Sequence, residues 1–208
     1  MTTRRPLYNG TYGATEISDG DLIASTILPV SSSDGLTTGQ EVFSRSLLIT
    51  GSSIAAVSGS MRLTFFTARK TETSTQVRVL SGTTAAGATP TLCRVGLFSV
   101  DSSDNGTLVA SIASDTTIWA AANTSYTRSW LSSIGMVSGQ RYALGQLIVT
   151  GQTLPVWAGY ALMANAQSEA NLVPRLTGAV GSLSDLPSSF TAGALVATLN
   201  RHYGAILP

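Results

Sequence analysis

The stretch Pro90–Ser111, "PTLCRVGLFSVDSSDNGTLVAS", decides how the rest of the chain is read. Two apolar runs flank Asp101–Gly106, whose Asp, Ser, Asn and Gly residues tolerate positive φ or bond their own backbone. The chain should therefore reverse there, with Asn105-Gly106 closing the turn. The runs on either side, 92–100 and 107–113, have the length and the β-branched and aromatic content of strands. A β-hairpin is predicted. Alternation puts Cys93, Val95 and Leu97 on one face and Arg94, Gly96 and Phe98 on the other. The first row is apolar throughout, so Cys93 is expected to be a buried, unreactive thiol. An arginine on the opposite face suits a subunit boundary or a loop carboxylate such as Asp101 or Asp115.

The same pattern extends outward. Candidate strands run over 44–50, 61–68, 73–80, 125–131, 141–149 and 155–163, separated by turn signals such as Ser58-Gly59-Ser60, Ser81-Gly82 and Ser138-Gly139. No convincing amphipathic helix lies between them. The stretch "ALMANAQSEANLVPRL" could hold one or two helical turns before Pro174, and the tail has strand character at 195–199. Strands in unbroken succession predict an all-β fold, an antiparallel β-sandwich of jelly-roll-like form. In "LTFFTA" the adjacent Phe65 and Phe66 must face opposite ways, so one of them is expected to leave the main core for an oligomer interface, as is Arg94. Residues 1–40 are different: Pro and Gly interrupt short apolar pieces too small to form a core. They are expected to be an extended anchoring arm, with Ile17, Leu22, Ile23, Ile27 and Leu28 seeking burial elsewhere, ahead of a sandwich domain over 41–208.

Composition narrows the function. Hydrophobic residues are 43% of the 208, enough for a real core, yet charged residues are only 11%, under half the usual share. A surface of Ser, Thr, Gly and Ala suits packing against identical copies, and a homo-oligomer, most simply a trimer, is expected. The net charge of +1 leaves no basic face for nucleic acid. No apolar run approaches the roughly 20 residues of a membrane helix, so no membrane insertion is expected. The N-terminus lacks the apolar stretch of a secretion signal, which points to assembly in a cytoplasm. A single cysteine forms no internal disulfide and supports no metal site, and no cofactor is expected.

Candidate chemistry is thin. His202 is the sole histidine, and no strand-turn-helix nucleophile elbow accompanies it. Most acidic residues lie in turn-like sequence, where they bond local backbone. "DSSDNG" lacks the spacing and closing Glu of a calcium loop. The tryptophans Trp119, Trp130 and Trp157 are the candidate binding residues, because exposed rings stack on sugar faces; the competing role for each is core filling.

Two stretches carry a resemblance. "EISDGDLI" is similar to the short N-terminal segment that opens many tailed-phage fibre and appendage proteins. "RLTFFTARKTETSTQVRV", "GATPTLCRVGLFSV", "DTTIW", "YTRSW" and "SGQRYALGQLIV", spanning Met61 to Val149, with the closing "RHYG", resemble a β-sandwich domain of minor tail and minor structural proteins in phages infecting actinobacteria. The resemblance implies a symmetric virion appendage, an arm bound to other virion proteins and no catalytic residues. Together with the composition it predicts a non-enzymatic virion structural protein: a small tail fibre or tail-tip component, assembled in the host bacterial cytoplasm, whose sandwich serves host attachment, including contact with cell-surface glycan. The alternative is a capsid decoration or head-fibre protein. A small polysaccharide hydrolase is the third role, but nothing selects the carboxylate pair it requires.

Overall fold

A computed structural model describes residues 38–44, 48, 52–161 and 172–208. The chain divides into Met1–Asp34 and Gly35–Pro208, and every described residue belongs to the second part. Among them are thirteen strands: β1 (Gln40–Glu41), β2 (Ser52–Ala55), β3 (Met61–Thr67), β4 (Glu72–Leu80), β5 (Leu92–Val100), β6 (Gly106–Ser111), β7 (Ser125–Met136), β8 (Arg141–Val149), β9 (Val156–Ala161), β10 (Thr177–Val180), β11 (Ser189–Phe190), β12 (Asn200–His202) and β13 (Gly204–Leu207). They form a four-stranded sheet β1-β13-β4-β7, a six-stranded sheet β10-β3-β8-β5-β6-β11 and a three-stranded sheet β12-β9-β2. Every pairing is antiparallel. The fold is all-β and sandwich-like, as the unbroken succession of strands predicts.

The six-stranded sheet is the middle layer, and alternation along its strands builds two cores. On the inner face Cys93, Val95 and Leu97 of β5 meet Tyr142, Leu144 and Ile148 of β8 and Phe66 of β3. The two smaller sheets close over this face with Val77, Val79, Ala205, Ile206 and Trp157. On the outer face Phe98, Val100, Ala143, Leu147, Met61, Leu63 and Phe65 form a second core. Its cover comes from the same chain: Leu183, Leu186, Phe190 and Leu195, all after β10. Glycine makes the room. Gly96 and Gly145 are directly paired, and a Cβ on either would come within 2.9 Å of Leu186 or Met61.

The hairpin of β5 and β6 forms as predicted, but its turn is built differently. The positive φ falls at Asp104 (64°), not at Asn105-Gly106. Asp101 organises the loop: its Oδ1 accepts from the backbone N–H of Ser103 (2.8 Å) and Asn105 (2.9 Å). Gly106 is instead the first residue of β6, where any side chain would run into the ring of Phe190. Its glycine serves packing of the outer core rather than turn conformation.

Other departures have local causes. β7 continues to Met136 past the expected end at Leu131, because its register against β4 slips between Ser74 and Gln76 and pairing then resumes at Ile134. The expected strand at 195–199 is replaced by a 3-10 turn, Ala192–Ala194, and an isolated bridge from Val196 to Ala179. The tail beyond it forms β12 and β13, in different sheets, with Tyr203 at the crossing. Of the expected strand at 44–50 only Ser44 and Leu48 are described, and neither is in a strand; residues 162–171 of the candidate helical stretch lie outside the described residues.

Candidate functional site

The groups that the sequence offered for chemistry are held as packing. Cys93 is fully buried on the inner face of β5 and free of any disulfide. Burial, reinforced by the nearby Asp115 carboxylate, pushes its thiol up to about 12, so the nucleophilic thiolate is suppressed. His202 is 1% exposed, with its backbone N–H donating to Thr64 Oγ1 and its carbonyl accepting from the same hydroxyl, both at 3.0 Å. Its ring stands edge-on to Trp157 at 5.1 Å, and neither ring nitrogen has a hydrogen-bond partner among the described residues. Burial, with a smaller contribution from the Arg62 charge, pushes its pKa down to about 3. The imidazole is neutral and lacks the orienting third group that a catalytic base requires.

The expectation of exposed tryptophans is corrected. Trp119 and Trp157 are 0% exposed and Trp130 is 6% exposed. Trp119 and Trp157 pack with ring centroids 4.9 Å apart. Trp119 takes a left-handed φ of 65°, a costly conformation for a bulky residue, which its burial in the inner core offsets. Trp130 lies where β7 slips register, and its Nε1–H donates to Ser74 Oγ at 2.9 Å. Alternation alone could not separate buried from exposed rings here, because a bulge and a positive φ decide two of the three positions.

The interface assignment for Phe65 and Phe66 is corrected likewise. They do face opposite ways, but each points into a core of its own chain, Phe65 into the outer one and Phe66 into the inner one. Arg94 also finds a partner within the chain. Its Nη1 lies 3.5 Å from Asp185, in the segment covering the outer core, and its Nη2 donates to Ser111 Oγ at 3.4 Å. The anchoring residues Ile17, Leu22, Ile23, Ile27 and Leu28 lie outside the described residues.

A different constellation emerges where β1, the end of β3, the start of β8, residues 174–176 and β12 converge. They border a pocket of 430 Å³ lined by Arg69, Arg141, Arg175 and Arg201 together with Phe43, Phe65 and Phe66. Arg141 pairs with the fully buried Asp104 and lies over the Phe65 ring at 5.1 Å. Its Nη2 donates to the Arg175 carbonyl at 2.6 Å. Asp104 also accepts from the Arg175 backbone N–H (3.1 Å) and stands 4.0 Å from Arg175 Nε. Arg201 sits between Phe43 and Tyr160, donating to Tyr160 Oη (2.9 Å) and to the Phe65 carbonyl (2.8 Å). Glu41 Oε1 accepts from Tyr203 Oη at 2.6 Å.

Four arginines thus line one pocket together with Glu41, and two of them, Arg141 and Arg175, are paired with the buried Asp104. Arg141 and Arg201 act as braces across strand ends. Arg69 is exposed, and its side chain makes no hydrogen bond or ion pair with the described residues. A second pocket of 500 Å³ adjoins the first and shares Thr67 and Arg141 with it; Ser99, Ser102, Asn105, Thr107 and Gln140 contribute to its wall. The site escaped the sequence because its arginines lie at 69, 141, 175 and 201, far apart in the chain and without a motif. Among the described residues no His, Cys, Asp and Glu side chains cluster as a metal site would require, and no helix is long and apolar enough to cross a membrane. The sequence matches no protein-family model and no curated protein.

Proposed function

We propose that the chain is a non-enzymatic structural component of a bacteriophage particle, a small tail fibre or tail-tip protein that its N-terminal arm anchors and whose β-sandwich meets the host surface. One observation carries the non-enzymatic half: Cys93, His202 and all three tryptophans are consumed in packing, with the thiol held protonated and the imidazole neutral. The resemblance of Met61–Val149 to phage structural proteins supports the virion half, and the low charge of the chain suits a repeated assembly. A symmetric oligomer, a trimer in the simplest case, no longer draws support from Phe65 and Phe66. Apolar surface exists instead at Leu131 of β7, at Val137 just after it, and at Leu172, Val173 and Leu176 ahead of β10, all more than half exposed.

Antibody labelling of purified particles tests the proposal. Label at the tail tip is the expected result. Label over the capsid would move the protein to the decoration role, and particles that carry none of the chain would overturn the virion assignment. Deleting residues 1–34, which stops short of β1, should leave a folded β domain that no longer joins particles, and normal incorporation of the truncated chain would refute the anchor.

A further inference from the structure

We infer that the two adjoining pockets at the β3–β8 end of the sandwich bind an acidic oligosaccharide, with its charged group at the arginine end and its neutral hydroxyls along the second pocket. The inference deepens the proposed contact with the host surface and rests on that reading for its biological setting, though not for its chemistry.

Among the described residues the arginine end has four cations, Arg69, Arg141, Arg175 and Arg201, to the two anions Glu41 and Asp104, and all but Arg69 are partly desolvated. Arg175 Nε and Nη1 and Arg201 Nε are buried there without a hydrogen-bond acceptor among the described residues. The side chains of Arg141 and Arg175 are only 18% and 14% exposed. Cations held out of water with incomplete pairing favour an added anion. An oxyanion in the pocket would be attracted by all four guanidiniums, while the exposed Arg69 offers a charge-assisted hydrogen bond directly. Guanidinium suits carboxylate and phosphate groups alike, and both occur on acidic sugars.

The second pocket supplies the other half of the ligand. Its wall holds Ser99, Ser102, Asn105, Thr107 and Gln140 beside the single carboxylate of Asp101. The Ser99 hydroxyl and the Asn105 and Gln140 amides bond within the chain, which leaves the hydroxyls of Ser102 and Thr107 to meet a polyol. The wall offers a nucleic acid no cationic track. Because Thr67 and Arg141 belong to both pockets, one ligand can span them. A single inorganic ion would use only the first.

Calorimetric titration of the full chain provides the test, with three probes: a hexuronate tetrasaccharide, the same oligomer with its carboxyls methyl-esterified, and an oligosaccharide bearing one phosphate. Binding of the uronate or the phosphorylated probe, weakened by added salt and absent for the ester, is the expected result; the probe that binds identifies the charged group. Arg69→Gln should weaken that binding roughly tenfold while leaving the melting temperature unchanged, since its side chain is exposed. Equal binding of the ester, no binding of either acidic probe, or an Arg69→Gln variant that binds like the parent would overturn the inference. The two proposals fail separately. A chain that enters particles yet binds no acidic sugar refutes only the ligand, and one that binds the sugar yet never enters particles refutes only the virion role.

Discussion

The inner and outer faces of the six-stranded sheet are covered in different ways. Whole strands of two other sheets close the inner face, and the enclosed space includes polar groups: His202, Gln146 and the indole N–H groups of Trp119 and Trp157. The outer face is closed by a segment holding one two-residue strand and a 3-10 turn, and its core is built from aliphatic, aromatic and methionine side chains. Strand-on-sheet cover supplies one of these groups with a backbone partner, Gln146 Nε2 donating to the Tyr203 carbonyl at 3.1 Å, while Gln146 Oε1, the His202 ring nitrogens and both indole N–H groups have none among the described residues. A short irregular cover has little backbone to spare, so shape alone must hold it.

The largest expected effect lies in the outer core. Phe98 is fully buried there and packs on Phe190 with centroids 5.2 Å apart. Phe98→Ala should cost about 3–5 kcal/mol in urea denaturation, the range for deleting a buried ring. A loss below about 1 kcal/mol would mean that the outer cover is not a core in energetic terms.

Acid separates the two faces next. The folded pKa of His202, about 3, lies below the ordinary value of 6.5 that the unfolded chain should show. The stability contributed by keeping the ring neutral is complete above pH 6.5 and is lost as pH falls toward 3, because the unfolded chain takes up a proton that the fold refuses. The slope from this one group is about 1.4 kcal/mol per pH unit, so roughly 2 kcal/mol should vanish between pH 6.5 and 5. Denaturation midpoints across that range, compared with a His202→Gln variant, isolate the effect. A slope unchanged by the substitution would contradict the burial of a neutral imidazole.

Cys93 gives the smaller test of the inner face. Cys93→Ser should cost about 1–3 kcal/mol by burying a hydroxyl without a partner, and Cys93→Ala should cost less. A thiol reagent should label the native protein no faster than it unfolds. Rapid labelling would return Cys93 to the candidate sites.

How much of this was legible depended on periodicity. β5 and β8 occupy their expected residues because both alternate along their whole length and sit centrally in one sheet. The faces of Cys93 and Phe98 followed from the same alternation. The outer cover was not legible: Leu183, Leu186, Phe190 and Leu195 have spacings of neither strand nor helix, and they matter only because Gly96, Gly106 and Gly145 leave space above the sheet. That omission made Phe65 look like an interface residue and left Arg94 without its Asp185 partner. The arginine pocket was hidden for a related reason, since long-range convergence leaves no local pattern.

The central claim is that one chain seals both faces of the sheet with separately constructed covers, and Gly106→Ala tests it most directly. The added methyl group would collide with Phe190 and so should lift the outer cover alone. All three tryptophans belong to the inner core, so their emission reports that face only. The account predicts faster amide exchange over residues 183–195 with tryptophan emission unchanged. Unaltered exchange over that segment, or a red shift of the emission in step with it, would contradict the account.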